Sequence, residues 1–298
     1  MTRRFGWILN LDAELELARG RPGYVPQRKL LAQLAEHGKS SRALLGPDDV
    51  LLESSGGERQ PRSLPSELVG RAWCPTPMAL ASLRRLGVEP EPHPSAEVLR
   101  RVNHRAFAHE LGGGLPQQAY VRTREQLLSH LGDYSRRWLL KRPLGFAGRG
   151  QLRVIGPLTE KQGSWVDASL KRDGLLVEPL VQPTFELSLH GFIWRSGRQE
   201  LGRICAQTVT ERGTFRGVRL ALAEELSDRE RSSLYERAEA VAHALGQAGY
   251  FGPFGIDGYR YTLEGDSGFC ALGEINARYT LGFVTGFARH PSELSLDD

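Results

Sequence analysis

Near the end of the chain an apolar run carries the segment GEINARYTLG, in which Glu274, Asn276 and Arg278 alternate with Ile275 and Ala277. Side chains two apart on a strand share a face. An acid, an amide and a guanidinium therefore form one polar row with Ile275 and Ala277 behind it. Turned into a core, such groups would go unpaired at about 1–3 kcal/mol each. The row faces water or it holds something.

A second segment points to what it could hold. In LGFAGRG (144–150) the close glycines let backbone N–H groups approach phosphate oxygens, although a plain tight turn is the commoner use of such a run. A Walker loop is excluded because no lysine follows these glycines. The one GKS, at Gly38, Lys39 and Ser40, has Gln33 where the first glycine belongs. A Rossmann fingerprint needs strand, turn and helix, whereas this loop joins two strand-like pieces, RWLLKRP and QLRVIG. What remains is a hairpin flap folding over phosphates, with Lys141 on the leading strand supplying positive charge beneath them.

Those residues need elements to position them. The 298 residues exceed a usual single core, so two or three subdomains are expected. FGWILNLD, DDVLLE and RAWCPT read as strands; YVPQRKLLAQLAEHG (24–38) and TPMALASLRRLG read as helices, an α/β alternation with a mostly parallel sheet. SSGGERQPRSLPSE (54–67) is a polar loop, and the proline-studded GVEPEPHPSAE (87–97) is the linker candidate. SAEVLRRVNHRAFAHELGG reads as one helix capped by Ser95. QQAYVRT, GLLVEPLV, FELSLHGFIW and ELGRICAQTVT read as strands, and TREQLLSHLG as a helix. The long helix after Ser227 opens on a capping box with Glu230. GPFGIDGYRYT and FCALGEINARYT read as two strands around EGDSG.

Composition bounds the function. A charge of +4 and a pI near 9.1 suit an anionic small ligand but are too weak for a nucleic-acid track. Cys74, Cys205 and Cys270 lack zinc or redox spacing, which predicts a reduced, cytoplasmic protein. Asp12, Glu14 and Glu16 interrupt the apolar start too soon for a signal peptide. No run approaches 18 apolar residues, so neither a membrane span nor a membrane partner is expected.

In order along the chain, VNHRAFAHELGGGLP, LLKRPLGFAGRG, LLVEPLVQPTFELS, GPFGIDGYRY and GEINARYTLG resemble the ATP-grasp ligases, among them D-alanine:D-alanine ligase, biotin carboxylase and other carboxylate–amine ligases. The resemblance covers roughly residues 95–287. It implies an α/β (α+β) architecture: a small Rossmann-like domain over 1–94, then two α+β subdomains clasping ATP, over 95–177 with the flap and 178–298 with the metal site. Lys141 would contact the α- and β-phosphates, Arg105 would be a first basic phosphate contact, and Gly145, Gly148 and Gly150 would form the lid. Glu178 to Val181 would be the hinge strand, with Pro179 and Val181 reading the adenine edge through their backbones, and Glu186 would hold the ribose. Asp257, Glu274 and Asn276 would be ligands for Mg2+ or Mn2+, a hard-oxygen set that suits magnesium on chemical grounds too. Arg278 would neutralise the transferring phosphoryl group or hold the substrate carboxylate. The implied activity is ADP-forming ligation of a small-molecule carboxylate, an amino acid or short peptide, to an amine through an acyl phosphate. A homodimer is common among relatives.

Taken singly, Glu178 and Glu186 suit exposed strand positions and Asp257 suits a turn. One departure matters: where D-alanine ligases carry an arginine two residues before the first metal aspartate, this chain has Gly255. The oxyanion role then falls to Arg278 or to Arg203 or Arg216. His104 and His109 are five apart and read as helix-surface residues, Trp73, Trp138 and Trp194 as core, and Cys270 as lacking any base. Rival readings are an ATP-grasp kinase acting on a hydroxyl and a non-catalytic nucleotide-binding protein.

Overall fold

In the computed structural model, residues 3–20, 23–25, 40–52, 65, 67–132, 136–145, 149–209 and 215–297 are described. Residues 26–38 of the helix expected over 24–38, most of the polar loop 54–67, and Gly148 at the flap tip lie outside them. Among the described residues no helix is long and apolar enough to cross a membrane.

The first sheet is parallel, in the order β2 (Val50–Leu51), β1 (Arg4–Ile8), β3 (Leu68–Ala72), β4 (Glu89–Pro90). Phe5, Trp7 and Ile8 are buried, as a strand covered on both faces requires. The expected strand 5–12 stops at Ile8. A turn at Leu11 and Asp12 leads into helix α1 (Ala13–Arg19), which ends at Gly20 with φ 63°. Helix α2 (Pro77–Arg85) starts on proline, as expected. The proline-rich stretch is more than a linker, because it supplies β4 and Glu91. The Glu91 carboxylate takes Arg71 Nε at 2.7 Å and Nη2 at 2.6 Å. That guanidinium lies 3.6 Å from the Phe5 ring centroid and donates to the carbonyls of Pro291 and Leu294, tying the C-terminal residues to this sheet.

The single helix expected from Ser95 onward is broken in two, α3 (Ala96–Val102) and α4 (Arg105–Glu110). The cause is Asn103. Its Nδ2 donates to Leu99 O at 2.9 Å, and its Oδ1 accepts from Ala277 N at 2.8 Å. His104 then turns extended (φ −77°, ψ 131°) and caps α4, its Nδ1 accepting from Ala106 N. It is therefore a cap and not a helix-surface residue.

The second sheet is antiparallel: β5 (Ala119–Val121), β8 (Leu175–Pro179), β6 (Arg137–Lys141), β7 (Gln151–Ile155). Capping boxes at Thr123/Gln126 and Thr159/Gln162 start its helices α5 (Arg124–Leu131) and α6 (Glu160–Leu170). Leu127, Val166, Leu140 and Val177 form their shared core. Glu178 and Pro179 end β8 and so belong to this sheet.

The third sheet runs β12 (Phe215–Leu220), β11 (Cys205–Val209), β9 (Gln182–Ile193), β13 (Gly252–Leu263), β14 (Asp266–Asn276), with β10 (Gln199–Leu201) on β9. The single strand expected over ELGRICAQTVT is thus two. β13 and β14 meet at a two-residue turn, Glu264 and Gly265, with φ 54° and 98°, both positive as a tight hairpin demands. Helix α7 (Asp228–Gln247), capped by Ser227 and Glu230 as expected, sets Leu234, Ala238, Val241 and Leu245 into the core. Trp73, Trp138 and Trp194 are buried, as are Cys74, Cys205 and Cys270.

Arg71 is 2% exposed, so its charge depends on Glu91. Glu91→Ala leaves that charge buried and unpaired, and should cost about 3–5 kcal/mol, read as a lower urea midpoint at unchanged m-value.

Candidate active site

The face of the third sheet away from α7 is polar. In register, Asp257 opposes Glu274 on β14 and Ser188 on β9, while Gly255 opposes Asn276 and His190. A register shift between Asp257 and Tyr259 bends the ladder directly after the aspartate. These side chains, with Gln207 of β11, line a cavity of about 330 Å3. Leu11 and Trp73 close it from the first sheet, and Arg105, Gly145 and Gln151 from the flap side. The row Glu274, Asn276, Arg278 thus faces a shared cleft together with Asp257.

Hydrogen bonds organise the cluster. Asn276 Nδ2 donates to Asp257 Oδ2 at 2.9 Å, and Asn276 Oδ1 accepts from Arg278 Nη2 at 2.9 Å. A carboxylate on one side and a guanidinium on the other leave the amide one orientation. Gln207 Nε2 donates to Asp257 Oδ1 at 3.1 Å. Arg105 bonds Glu274 Oε1 at 2.7 Å and Arg142 O at 2.7 Å. The break at Asn103 puts Arg105 at the start of α4, from where it reaches β14. Arg278 also bonds Glu14 of α1.

Lys141, Gly150, Glu178, Pro179, Val181 and Glu186 lie outside the cavity lining, whereas Gly145 belongs to it. Lys141 Nζ is 2.5 Å from Glu178 Oε1, and both side chains are largely buried; Glu178 is therefore not an exposed strand charge. Val181 packs near Leu115, Tyr261 and Cys270. Glu186 sits opposite Tyr259, and burial raises its pKa. Gly145 is required by close approach: a Cβ there would meet Arg149 O at 2.7 Å and Arg105 Nη1 at 3.1 Å. Arg203 and Arg216 are exposed and outside the cavity lining.

Asp257 is the electrostatic outlier. Burial, then the charge of Glu274, pushes its carboxyl up to about 7. Two facing acids are incompletely compensated by the cations around them, which is the condition a divalent ion relieves. Among the described residues no three His, Cys, Asp or Glu side chains gather as a metal cluster. Two carboxylates and an amide instead suit an ion that takes few protein ligands and completes its shell with phosphate oxygens.

No protein-family model matches this chain, and no curated protein does. Solved structures do. D-alanyl-alanine synthetase A from Vibrio cholerae O1 biovar eltor superposes with a TM-score of 0.57 at 14% identity, over 98% of this chain and 96% of that one. Carboxyaminoimidazole ribonucleotide synthase from Aspergillus clavatus, complexed with ATP, gives 0.55 at 16% identity over 99% and 78%. N5-Carboxyaminoimidazole synthetase from Staphylococcus aureus, complexed with ADP, gives 0.54 at 10% identity over 94% and 71%. All three are ATP-grasp proteins. This chain has the ATP-grasp fold.

Within that ATP-grasp frame the sequence reasoning missed Glu14, Asn103, Gln151, Ser188, His190 and Gln207. For Ser188 and His190 a signal existed: Glu186, Ser188 and His190 alternate with Leu187 and Leu189, the pattern also seen at 274–278. Nothing local marks Glu14, whose partner is 264 residues away.

His190 is 2% exposed, and burial pushes its pKa down to about 4. An unfolded histidine takes its proton near 6.5. Stability is therefore full above that pH and is lost as pH falls toward 4. Between pH 7.5 and 5.0 the loss is about 2 kcal/mol. A His190→Asn chain should lack this share of the pH dependence in urea unfolding at the two pH values.

Proposed function

We propose that this chain is an ATP- and Mg2+-dependent carboxylate–amine ligase that forms an amide or peptide bond through an acyl phosphate. The observation that supports it most is the convergence of Asp257, Glu274, Asn276, Arg278 and Arg105 on one cavity bordered by the glycine loop. On this reading residues 1–94 form the small N-terminal domain, 95–177 the flap subdomain and 178–298 the subdomain of the metal site, except that Glu178 and Pro179 pair into the sheet of the flap subdomain. Asp257, Glu274 and Asn276 hold the ion, which when bound neutralises charge on the nucleotide's phosphates.

The protein's own groups do the positioning. Lys141 and Arg105 hold phosphate oxygens under the lid of Gly145, Gly148 and Gly150. Glu178, Pro179 and Val181 border the adenine, and Glu186 the ribose. Arg278, kept in place by Glu14 and Asn276, orients the substrate carboxylate as it attacks the γ-phosphorus and ADP leaves. An amine then displaces phosphate from the activated carbonyl. Phosphoryl transfer of this kind needs placement and charge stabilisation more than covalent help. Water must be kept from the intermediate, a task suited to the flap.

The test is a screen of amino acids and dipeptides in pairs for phosphate release from ATP, repeated with hydroxylamine. A ligase yields ADP and a hydroxamate; ADP with a phosphorylated hydroxyl and no hydroxamate would establish the kinase instead. Asp257→Asn and Glu274→Gln should each abolish ADP formation, and Lys141→Ala should lower kcat by about 10²–10³. Normal ADP formation by Asp257→Asn/Glu274→Gln would sink the assignment.

A further inference from the structure

In the cavity wall, on β9, His190 stands where a side chain at position 255 would point. A Cβ on Gly255 would meet His190 Nδ1 at 2.9 Å and Thr280 Cγ2 at 3.2 Å. The arginine that D-alanine ligases carry at this point therefore has no room here; a neutral ring and a hydroxyl fill the place. The imidazole is held in a slot. Cβ atoms on Gly282 and Gly286 would lie 2.6 Å from its Nε2 and 2.5 Å from its Cδ2, and Phe283 stands edge-on with ring centroids 6.5 Å apart. Three glycines clear the space that one fixed ring occupies.

Both ring nitrogens are hydrogen-bonded to hydroxyls: Nε2 to Ser188 Oγ at 3.1 Å, and Nδ1 to Thr280 Oγ1 at 3.0 Å. Ser188, His190 and Thr280 all line the cavity. A neutral imidazole has one donor and one acceptor nitrogen, so whichever tautomer is present, one hydroxyl accepts from the ring and the other donates to it. The first keeps its O–H for the cavity; the second keeps only lone pairs. The chain thus always offers the cavity one donor and one acceptor, and no charge. The carboxylates in the lining, Asp257 and Glu274, are engaged by Gln207, Asn276 and Arg105, while Trp73, Val218 and Leu281 add apolar surface. On the ligase reading the divalent ion takes up Asp257 and Glu274, and an ammonium meets no further carboxylate among the described residues of the lining. An uncharged amine carrying an adjacent oxygen finds a match.

We propose that the Ser188–His190–Thr280 chain is the acceptor reader of this site: it positions the attacking amine in its uncharged form, with His190 acting through the two hydroxyls. This rests on the ligase reading and deepens it. Ser188 and Thr280 are binding residues in this scheme and His190 is a positioning residue. The acceptor class is a primary amine with a neighbouring carbonyl or carboxylate oxygen.

The experiment sets two nucleophiles in competition. Wild type, Thr280→Val, Ser188→Ala and Thr280→Ser are incubated with Mg-ATP, the twenty proteinogenic amino acids and hydroxylamine, and amides and hydroxamates are counted by mass spectrometry. Hydroxylamine at high concentration reports activation without needing a built acceptor site. The ratio of amide to hydroxamate should fall about tenfold in Thr280→Val and in Ser188→Ala, and return to within about twofold of wild type in Thr280→Ser, which keeps the hydroxyl and loses the methyl. A ratio unchanged in Thr280→Val would reduce His190 to a core residue. Thr280→Ser as low as Thr280→Val would mean packing, and amide falling in step with hydroxamate would assign the chain to activation; each overturns the proposal. Wild type giving no ADP and neither product would overturn the ligase reading, and this assignment with it. Thermal denaturation checks folding; should Ser188→Ala fail to fold, the Thr280 pair decides.

Discussion

Two carboxylates, Asp257 and Glu274, face one another across neighbouring strands, and much of the surrounding architecture answers the problem they create. Like charges in a low-dielectric site repel and are costly to desolvate. Each acid is met by a group carried from a different part of the chain. Glu274 has Arg105, from the start of a helix beside the second sheet. Asp257 has amide donors from β11 and β14. The compensation is incomplete, since the Asp257 carboxyl stays pushed up to about 7. The tight turn at Glu264 and Gly265 starts the ladder, and the register shift between Asp257 and Tyr259 is what sets Asp257 opposite Glu274. Slipping β14 by one residue would turn Glu274 to the α7 side and leave Asp257 without its opposite number.

The short stretch following β14 is gripped from several directions. Ala277 N donates to Asn103 Oδ1 at 2.8 Å, Tyr279 N donates to Trp73 O at 3.1 Å, and Arg278 reaches Glu14. The N-terminal sheet and the broken helix thus fix the same few residues that carry the polar row. Such a site exists only when its three parts are docked. The interruption at Asn103, costly in helix terms, has a use here: it frees an amide to pin Ala277 and starts α4 at the residue whose guanidinium meets Glu274.

How much of this was legible in the sequence follows from the range of the interactions. The polar row at 274–278, the pair of strands on either side of the glycine loop and the capping box at Ser227 depend on neighbours a few residues apart, and alternation or spacing reveals them. The break at Asn103 is different. Locally the segment from Ser95 to Gly113 has helical character, and only a partner 174 residues away overrides it. Glu14 likewise looks like a solvated helix acid until Arg278 arrives. The proline-rich stretch makes the same point, reading as a spacer until Glu91 is seen closing on a buried arginine. Where a side chain's role is set by charge compensation across domains, periodicity carries no trace of it.

The same compensation bears on how a polyphosphate would be received. Lys141 already has Glu178 at 2.5 Å, and Arg105 already has Glu274 at 2.7 Å. Neither cation waits unpaired, as expected for buried charges whose isolation is expensive. On the proposed reading, phosphate oxygens therefore join or replace carboxylate partners, and the net gain is the difference between two strong interactions. Replacing Glu274 as the partner of Arg105 would return a second negative charge to the neighbourhood of Asp257, and that charge is what a divalent ion would answer. Nucleotide and ion are coupled through Arg105 in this scheme: moving its charge toward phosphate makes the paired acids a better cation site, and a cation on the acids releases Arg105 for phosphate.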